Sequence, residues 1–381
     1  MEVGCYVFPH YHRSALNDVL YGPGWTEYVL LRGARPWFEG HPQPRTPLLG
    51  ELDEREPSTW RRYIQLARAA GIDVFIFDWY WYGGGPVLHE ALEEGLLGVG
   101  DGGGMRFAVM WTNHPWAYWF PTAGARASQG WLGEWEDGEL GAYELVYDAP
   151  HGVEIWRSLS YILSRYCGHP WYWRVEGRPV VGLWDVSLLV GELGLEGTRR
   201  LLEGLRELAL RLGLPGIHFH AVCQEPGVLR ALGEVLAVGV DSYGLYNSVA
   251  VGASRLPISD NLPRYEDAVR EVVERVWPKQ AGLSALPYWP CVSPGCDDTP
   301  RHLLPRDLEH PRSWRTRPVV GETPEVFEGF VRAGVEFLQG RGGPKVLLIG
   351  SWNEWTEGHY LLPDTRLGFG MLRALQRALT S

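Results

Sequence analysis

The chain has 381 residues, of which 45% are hydrophobic and 21% are charged, as is typical of a globular protein with a large core. Its formal net charge of −11 at pH 7 disfavours nucleic acid and anionic membranes as partners. The sequence contains no apolar run of about 18 residues that would span a membrane, and no charged leader precedes its first apolar stretch, so we expect a cytoplasmic protein.

Buried strands are predicted to alternate with helices along the whole chain. Short apolar runs between turn residues predict strands at 4–8, 72–77, 105–110, 179–183, 217–222, near 238–241, near 283–288 and at 346–350. Apolar residues at helical spacing predict helices at about 58–70, 152–167, 195–212, 265–276, 324–338 and 370–379.

The order of these elements predicts the fold. About eight strand-then-helix units follow one another at roughly 40-residue spacing, which implies parallel pairing and right-handed crossovers. We therefore predict an α/β protein with the (β/α)8 TIM barrel fold, in which residues 1–381 form a single catalytic domain with long loops after the strands.

Two carboxylates follow the last predicted strand. Glu354 and Glu357 lie among Trp352, Trp355 and Tyr360, where the chain leaves the carboxyl end of residues 346–350. Sugar chemistry uses such a pair, one acid to exchange protons and a second to assist attack, with aromatic planes that stack on pyranose rings. The structural alternative is that Asn353 and Glu354 cap a turn while the tryptophans fill the core.

Other residues that end strands are candidates to line a carbohydrate pocket. The chain has 19 Trp and 18 Tyr, and many of them follow predicted strands. The predicted substrate-binding residues are His10, Tyr11, Asp78, Trp79, Trp111, Asn113, Tyr246, Trp289, Trp352, Asn353, Trp355 and Tyr360. Asp185, Glu225 and Asp241 are further possible acceptors for sugar hydroxyls. We expect an oligosaccharide or polysaccharide substrate, and neither a metal nor another cofactor.

Several of these motifs resemble a known group of proteins. The closing stretch Trp352-Asn-Glu-Trp-Thr-Glu-Gly358 resembles that of glycoside hydrolase family ninety-nine and of the related WbsX-like proteins of surface-polysaccharide gene clusters. The resemblance extends to Trp25-Thr-Glu27, Pro36, Phe38-Glu-Gly-His41, Gln43-Pro-Arg45, Pro294-Gly and Thr299-Pro-Arg301, so it spans nearly the whole chain.

The resemblance implies an activity and assigns roles to the two carboxylates. The hydrolase family cleaves α-linked, mannose-type glycans with retention of configuration. Glu354 matches the carboxylate thought to deprotonate the sugar 2-hydroxyl, which attacks the anomeric carbon to form an anhydro sugar, and Glu357 matches the general acid/base. The run Trp111-Thr-Asn-His114 lacks an acid of the WbsX-like pattern, which leaves the identity of that subsite open.

Other functions remain open from the residues alone. The pairs His10-x-His12 and His218-x-His220 are typical of metal-dependent amidohydrolase barrels, but the other strands do not supply the remaining ligands of that pattern. A glycosyltransferase of polysaccharide synthesis or a carbohydrate-binding barrel without activity are the further alternatives. A Gly-rich phosphate-binding loop, which would favour a nucleotide-sugar donor, is absent from the sequence.

Overall fold

Eight parallel strands form a closed barrel in the computed structural model, which describes residues 1–117, 145–147, 150–222, 232–257, 261–301 and 318–380. In chain order they are β1 Glu2–Val7, β2 Val74–Tyr82, β3 Arg106–Trp111, β4 Arg178–Leu183, β5 His218–Val222, β6 Ser242–Gly244, β7 in the two pieces Tyr288–Trp289 and Cys291–Val292, and β8 Val346–Ile349. The first piece of β7 pairs with β6 and the second with β8, which itself pairs with β1. The predicted (β/α)8 barrel is therefore confirmed.

Helices surround the strands. They are α1 Ala15–Tyr21, α2 Tyr28–Gly33, α3 Pro57–Ala70, α4 Val153–Arg165, α5 Val186–Arg211, α6 Leu232–Leu236, α7 Ser248–Ser254, α8 Tyr265–Glu271, α9 Trp277–Ala281, α10 Pro324–Gln339 and α11 Gly370–Thr380. Helix α10 illustrates why they form, since Thr323 caps its first turn, Pro324 begins it, and Phe327 and Val331 lie on its buried face. Across the described ranges, no helix is both long and apolar enough to cross a bilayer.

The pleat of the strands decides which side chains enter the barrel. A Cβ on Gly4 of β1 would contact Ile76 at 3.0 Å and Leu348 at 3.2 Å, so these three positions face the interior. Because successive side chains of a strand point to opposite faces, Asp78 shares the interior face of β2 with Ile76. Trp79 faces the surrounding helices.

Several predicted elements have different bounds. Strand β2, predicted at 72–77, continues to Tyr82, because its last residues pair with the short segment Gly85–Val87. Strand β7 starts later than 283–288, because its backbone pairing begins where Tyr243 N–H donates to the carbonyl of Pro287. The helix expected at 195–212 already starts at Val186, where Asp185 caps it by accepting from Ser187 N–H at 2.8 Å, and it is kinked at Gly194. Strand β6 begins after Asp241, which therefore lies at the amino end of the barrel, away from the loops that follow the strands.

Candidate active site

The closing stretch is anchored to the first strand at the carboxyl end of the barrel. Asn353 donates to the carbonyl of Phe8 at 2.7 Å and to Glu54 Oε1 at 2.6 Å, and its Oδ1 accepts from Phe8 N–H at 2.9 Å. Both amide hydrogens of this fully buried side chain are thus used inside the protein. Asn353 therefore holds the backbone beside Glu354 in place, and its predicted contact with substrate stays a prediction.

Arg301 joins the two predicted catalytic carboxylates. Its Nη2 donates to Glu354 Oε1 at 2.7 Å, and its Nη1 donates to Glu357 Oε1. The other oxygen of Glu357 lies 3.0 Å from His359 Nε2. Ligand-type atoms of Glu354, Glu357 and His359 all lie within 4.8 Å of one another, so the two acids face one small volume.

Glu27 is a third carboxylate around the same guanidinium. Its Oε1 accepts from Arg301 Nη2 at 2.9 Å and from Thr356 Oγ1 at 2.7 Å, and its Oε2 lies 3.2 Å from His10 Nδ1. Burial raises the pKa of Glu27, but the charge of Arg301 and the hydrogen bonds from His10 and Thr356 more than offset it and hold that pKa below its usual range. Glu27 is therefore ionised at neutral pH.

Tyr246 connects Glu354 to a fourth acid. The Tyr246 hydroxyl lies 3.1 Å from Glu354 Oε2 and 3.0 Å from Asp78 Oδ2. Tyr11 closes the cluster from the first loop, and its hydroxyl accepts from Thr356 N–H at 3.3 Å. The structure thus brings Asp78, Tyr246 and Tyr11 together with the predicted catalytic pair.

Glu354 and Glu357 differ in environment. The Glu354 side chain is 4% exposed and that of Glu357 is 22% exposed. Burial, followed by the charge of Glu357, raises the pKa of Glu354 well above its usual range, although Arg301 acts in the opposite direction. Two neighbouring carboxyl groups with unequal solvation are the arrangement that allows different proton-transfer roles.

A cation already lies between these acids. Glu354, Glu357 and His359 form the one group with the spacing of metal ligands among the residues that the structure describes, and Arg301 is bonded to both of its carboxylates. We therefore assign the positive charge of the site to the arginine.

The histidines of the amidohydrolase alternative do not converge. His10 contacts Glu27 and Asn17 in the loop after β1, whereas His218 and His220 share the Ser242 hydroxyl at 2.8 and 2.9 Å in the barrel core. Trp289 stacks on His218 and His220, with ring centroids 5.1 and 4.4 Å away. The ligand set of that alternative is not assembled, and Trp289 is a core residue rather than the predicted substrate contact.

Four other predicted substrate-binding tryptophans are packed in the interior, each at most 1% exposed. Trp79 donates to the Tyr166 hydroxyl at 3.2 Å, and Trp111 pairs with it in register on the next strand, so both face the helices. Trp352 contacts Tyr63 and Phe75 in the layer between α3 and β2, and Trp355 stacks on Tyr360 at 4.0 Å. The structure thus buries all four indoles. For Trp79 and Trp111 the reason is that the end of a strand fixes the position of a side chain along the barrel but not the side to which it points.

The remaining predicted polar residues have partners within the protein. Asn113 Nδ2 donates to the carbonyl of Asp185 at 2.8 Å, and the Tyr360 hydroxyl donates to Asp364 Oδ2 at 2.7 Å. Asp241 pairs with Arg178 and Arg206 at the amino end of the barrel. Asp185 caps α5, and Glu225 lies outside the described residues.

Arg301 and Glu27 were not singled out as site residues, although both are central to the cluster. They are 274 positions apart, so no local periodicity connects them. Both belong to motifs quoted above, Thr299-Pro-Arg301 and Trp25-Thr-Glu27. The signal that could have found them is the presence of one charged residue in each of these motifs.

Comparison with known proteins gives the family. A family model described as "Glycosyltransferase WbsX" matches residues 3–375. The chain belongs to the WbsX family. Two curated relatives, each named "Uncharacterized protein WxcX" and from two strains of Xanthomonas campestris pv. campestris, are 26% identical over 98% of this chain. The chain spans about half the length of these relatives, namely 49%.

Solved structures share the barrel of this WbsX-family chain. The GH99 endo-alpha-mannosidase from Bacteroides thetaiotaomicron is 14% identical with a TM-score of 0.59, and the match covers 100% of this chain and 99% of the mannosidase. A structure titled "Glycoside hydrolase-like protein" is 13% identical with a TM-score of 0.59, over 99% of this chain and 93% of its own. At these identities the likeness establishes the fold.

Proposed function

We propose that this WbsX-family chain is a glycosidase that cleaves α-linked, mannose-type glycans with retention of configuration, and that Glu354 and Glu357 are its catalytic pair. The observation that carries the proposal is a pair of unequally buried carboxylates held by Arg301 at the carboxyl end of a barrel. Barrel enzymes assemble their sites at this end. The names of the structural relatives agree with this class of reaction.

The spacing of the two acids favours retention. Their nearest ligand-type oxygens lie within 4.8 Å. Inverting glycosidases leave roughly 6.5–9.5 Å between their two carboxyl groups to fit a water molecule, and enzymes whose second carboxylate is the nucleophile hold them about 5–5.5 Å apart. In the proposed mechanism the sugar 2-oxygen takes the place of that nucleophile. The close pair supports a first step in which no water lies between the acids.

In the proposed mechanism the two acids exchange separate protons. Glu354 accepts the proton of the sugar 2-hydroxyl while the sugar 2-oxygen attacks the anomeric carbon. Glu357 donates a proton to the glycosidic oxygen as the bond between that oxygen and the anomeric carbon breaks. Water then attacks the anomeric carbon and gives its proton to Glu357, and the ring of the anhydro sugar opens as Glu354 returns its proton to the 2-oxygen. Arg301 donates to Glu354 and the Tyr246 hydroxyl lies 3.1 Å from it, which holds this carboxylate in place to accept a proton, and the greater exposure of Glu357 suits a group that must reach the leaving group and water.

Activated substrates test the division of roles. With an aryl α-glycoside, whose leaving group needs no proton, Glu357→Gln should keep much of the rate of the first step, whereas Glu354→Gln should lose about 100-fold or more. Glu271→Gln, a buried carboxylate paired with Arg255 and Arg275 away from the cluster, is the matched control and should not change the rate. A 2-deoxy substrate that is cleaved as fast as its parent would rule out 2-hydroxyl participation.

The description of the family model favours a second candidate, a glycosyltransferase. A transferase would consume an activated donor and release its nucleotide or phosphate, whereas a glycosidase transfers the sugar to water. Incubation of the protein and a glycan acceptor with a panel of nucleotide sugars distinguishes them. Release of nucleotide that depends on the acceptor and on Glu354 would replace the hydrolase proposal with the transferase.

A further inference from the structure

The Tyr246 hydroxyl lies between two carboxyl groups. It is 3.0 Å from Asp78 Oδ2 and 3.1 Å from Glu354 Oε2, and all three side chains are buried. A phenol has one hydrogen to donate, so it can satisfy only one of two ionised carboxylates. At the second carboxylate, the tyrosine oxygen and a carboxylate oxygen would then face each other with no hydrogen between them. The geometry therefore requires a further proton on Asp78 or on Glu354.

The partners of the two acids decide which one holds this proton. Burial and the charge of Glu357 raise the pKa of Glu354, but its Oε1 accepts from Arg301 at 2.7 Å, so a negative charge on Glu354 has a cation as its partner. Asp78 forms no ion pair with any arginine, lysine or histidine of the described chain, and its Oδ1 is buried without a hydrogen-bond partner. A buried ionised carboxylate with one hydrogen bond and no cation is costly, whereas a neutral acid in the same place is not.

We propose that Asp78 is a neutral carboxylic acid in the working enzyme and that it donates to Tyr246, which in turn donates to ionised Glu354. The chain of donors Asp78 to Tyr246 to Glu354 then gives every contact one hydrogen. Asp78 acts as a positioning residue, because it fixes the direction in which the tyrosine hydroxyl points.

The surrounding charges agree with this proton position. The titratable groups around Asp78 and its partner Tyr246 are Tyr80, Glu354, Glu357 and His359, whose ring packs edge-on against Tyr246 at 5.4 Å, and Arg301 reaches them through Glu354. Of the groups that act on Asp78 itself, only the Tyr246 hydroxyl favours the ionised form. Burial raises the pKa of Asp78 well above its usual range, Tyr246 opposes this, and the charge of Glu357 adds to it. An ionised Asp78 would also place a second negative charge across the Tyr246 hydroxyl from Glu354.

The consequence for catalysis rests on the proposed function. If Glu354 is the base that takes the 2-hydroxyl proton, it must be ionised when substrate arrives. A neutral Asp78 keeps the Tyr246 hydrogen on Glu354, so that this carboxylate has two donors, Arg301 on one oxygen and Tyr246 on the other. Deprotonation of Asp78 would attract the hydroxyl away and place like charge beside the base.

Isotope-edited infrared spectroscopy of the intact protein tests the proton position without a substrate. We expect the carbonyl band of a protonated acid at pH 7 that shifts when aspartate carboxyl groups carry carbon-13. Labelled glutamate should not shift this band. It can shift a separate band from Glu54, because burial raises the pKa of that carboxyl group to about 8. The aspartic acid band should disappear in Asp78→Asn and persist in Asp241→Asn, since Arg178 and Arg206 keep Asp241 ionised.

Absence of an aspartic acid band in the wild-type protein at pH 7 would overturn the proposal, and this measurement needs no variant to fold. A band that persists in folded Asp78→Asn would overturn it as well. Because both results are independent of turnover, they are distinguishable from a failure of the proposed function, which would appear as the absence of hydrolysis.

Activity gives a second readout once a substrate is known. Asp78→Asn keeps a neutral donor toward Tyr246, so it should reduce kcat/KM clearly less than Asp78→Ala does, and its pH profile should lose an alkaline limb caused by ionisation of Asp78. Asp78→Ala and Tyr246→Phe remove the chain and should lose about 10- to 100-fold. A folded Asp78→Asn variant as impaired as Asp78→Ala would show that the aspartate must be charged and would refute the proposal.

Discussion

Replacement of Arg301 by methionine probes the electrostatic centre of the site. The variant keeps a long side chain but removes the guanidinium that contacts Glu27, Glu354 and Glu357 and donates through Nε to Thr356 at 3.0 Å. Three carboxylates would then be left close together without their cation. We expect a loss of stability that depends strongly on pH.

The magnitude follows from burial. The side chains of Glu27 and Glu354 are 0% and 4% exposed and that of Arg301 is 15% exposed, so solvent screens these pairs little. Breaking a buried ion pair by removing one partner costs about 3–5 kcal/mol. Without Arg301 the carboxylate pKa values of the folded variant rise, so the native variant binds protons that the wild type does not. The loss should therefore shrink as pH falls, by up to about 1.4 kcal/mol per pH unit for each proton taken up.

Urea unfolding of both proteins between pH 5 and pH 8 measures this effect. We expect the difference in unfolding free energy to be largest at pH 8 and clearly smaller at pH 5. The matched control is Arg377→Met, which removes a solvent-screened pair with Glu328 and should reduce stability far less than Arg301→Met at every pH. A loss for Arg301→Met that is equal at both ends of the range, or no greater than that of the control, would refute the charge assignment.

Two further predictions concern buried side chains. Burial lowers the pKa of His218 to about 4 and that of His220 well below its usual range, so the unfolded chain takes up protons below about pH 6.5 that the native protein does not. The free energy of unfolding should therefore have its full value above that pH and decrease as pH falls toward 4. His218→Gln should make this decrease, measured by urea unfolding, shallower. An unchanged slope would contradict the prediction. Trp355→Ala should lower stability by about 3–5 kcal/mol, because the indole is buried against Tyr360. In calorimetric titrations the affinity of the folded variant for a glycan should stay within about threefold of wild type. A large loss of affinity would show that Trp355 contacts the glycan.

The barrel could be predicted because each unit of the fold leaves a local pattern in the sequence. Buried strands such as Val346–Ile349 are short apolar runs, and amphipathic helices such as Pro324–Gln339 have periodic apolar residues between recognisable caps. Strand β6 and the start of β7 were less accurate because these strands are short and lie beside other apolar residues. Their bounds depend on backbone pairing with distant strands.

The candidate site could be predicted only in part. Glu354 and Glu357 follow the last strand, and Asp78 lies on the interior face of another, so their approach follows from the barrel. The orientation of Trp79 depends on its register in the pleat, which a residue count from an uncertain strand boundary does not fix.

The contacts of Arg301 were beyond local patterns altogether. This residue ends the short turn Thr299–Arg301, and its partners Glu27 and Glu354 come from distant parts of the chain. Only the closure of the barrel brings these three residues together, and neither periodicity nor a capping motif in the sequence predicts their contacts.

The central claim is that the Glu354 and Glu357 pair transfers sugar to water, and the most direct test is a hydrolysis assay without any nucleotide. The purified protein would be incubated with a panel of α-linked mannose oligosaccharides and related polysaccharides, and products would be followed by proton NMR from the first minutes. We predict release of sugar whose first-formed anomer is α, and loss of that release in Glu354→Gln and Glu357→Gln. Release of a β anomer would contradict retention, and equal release by wild type and both variants would contradict the assignment of the catalytic pair.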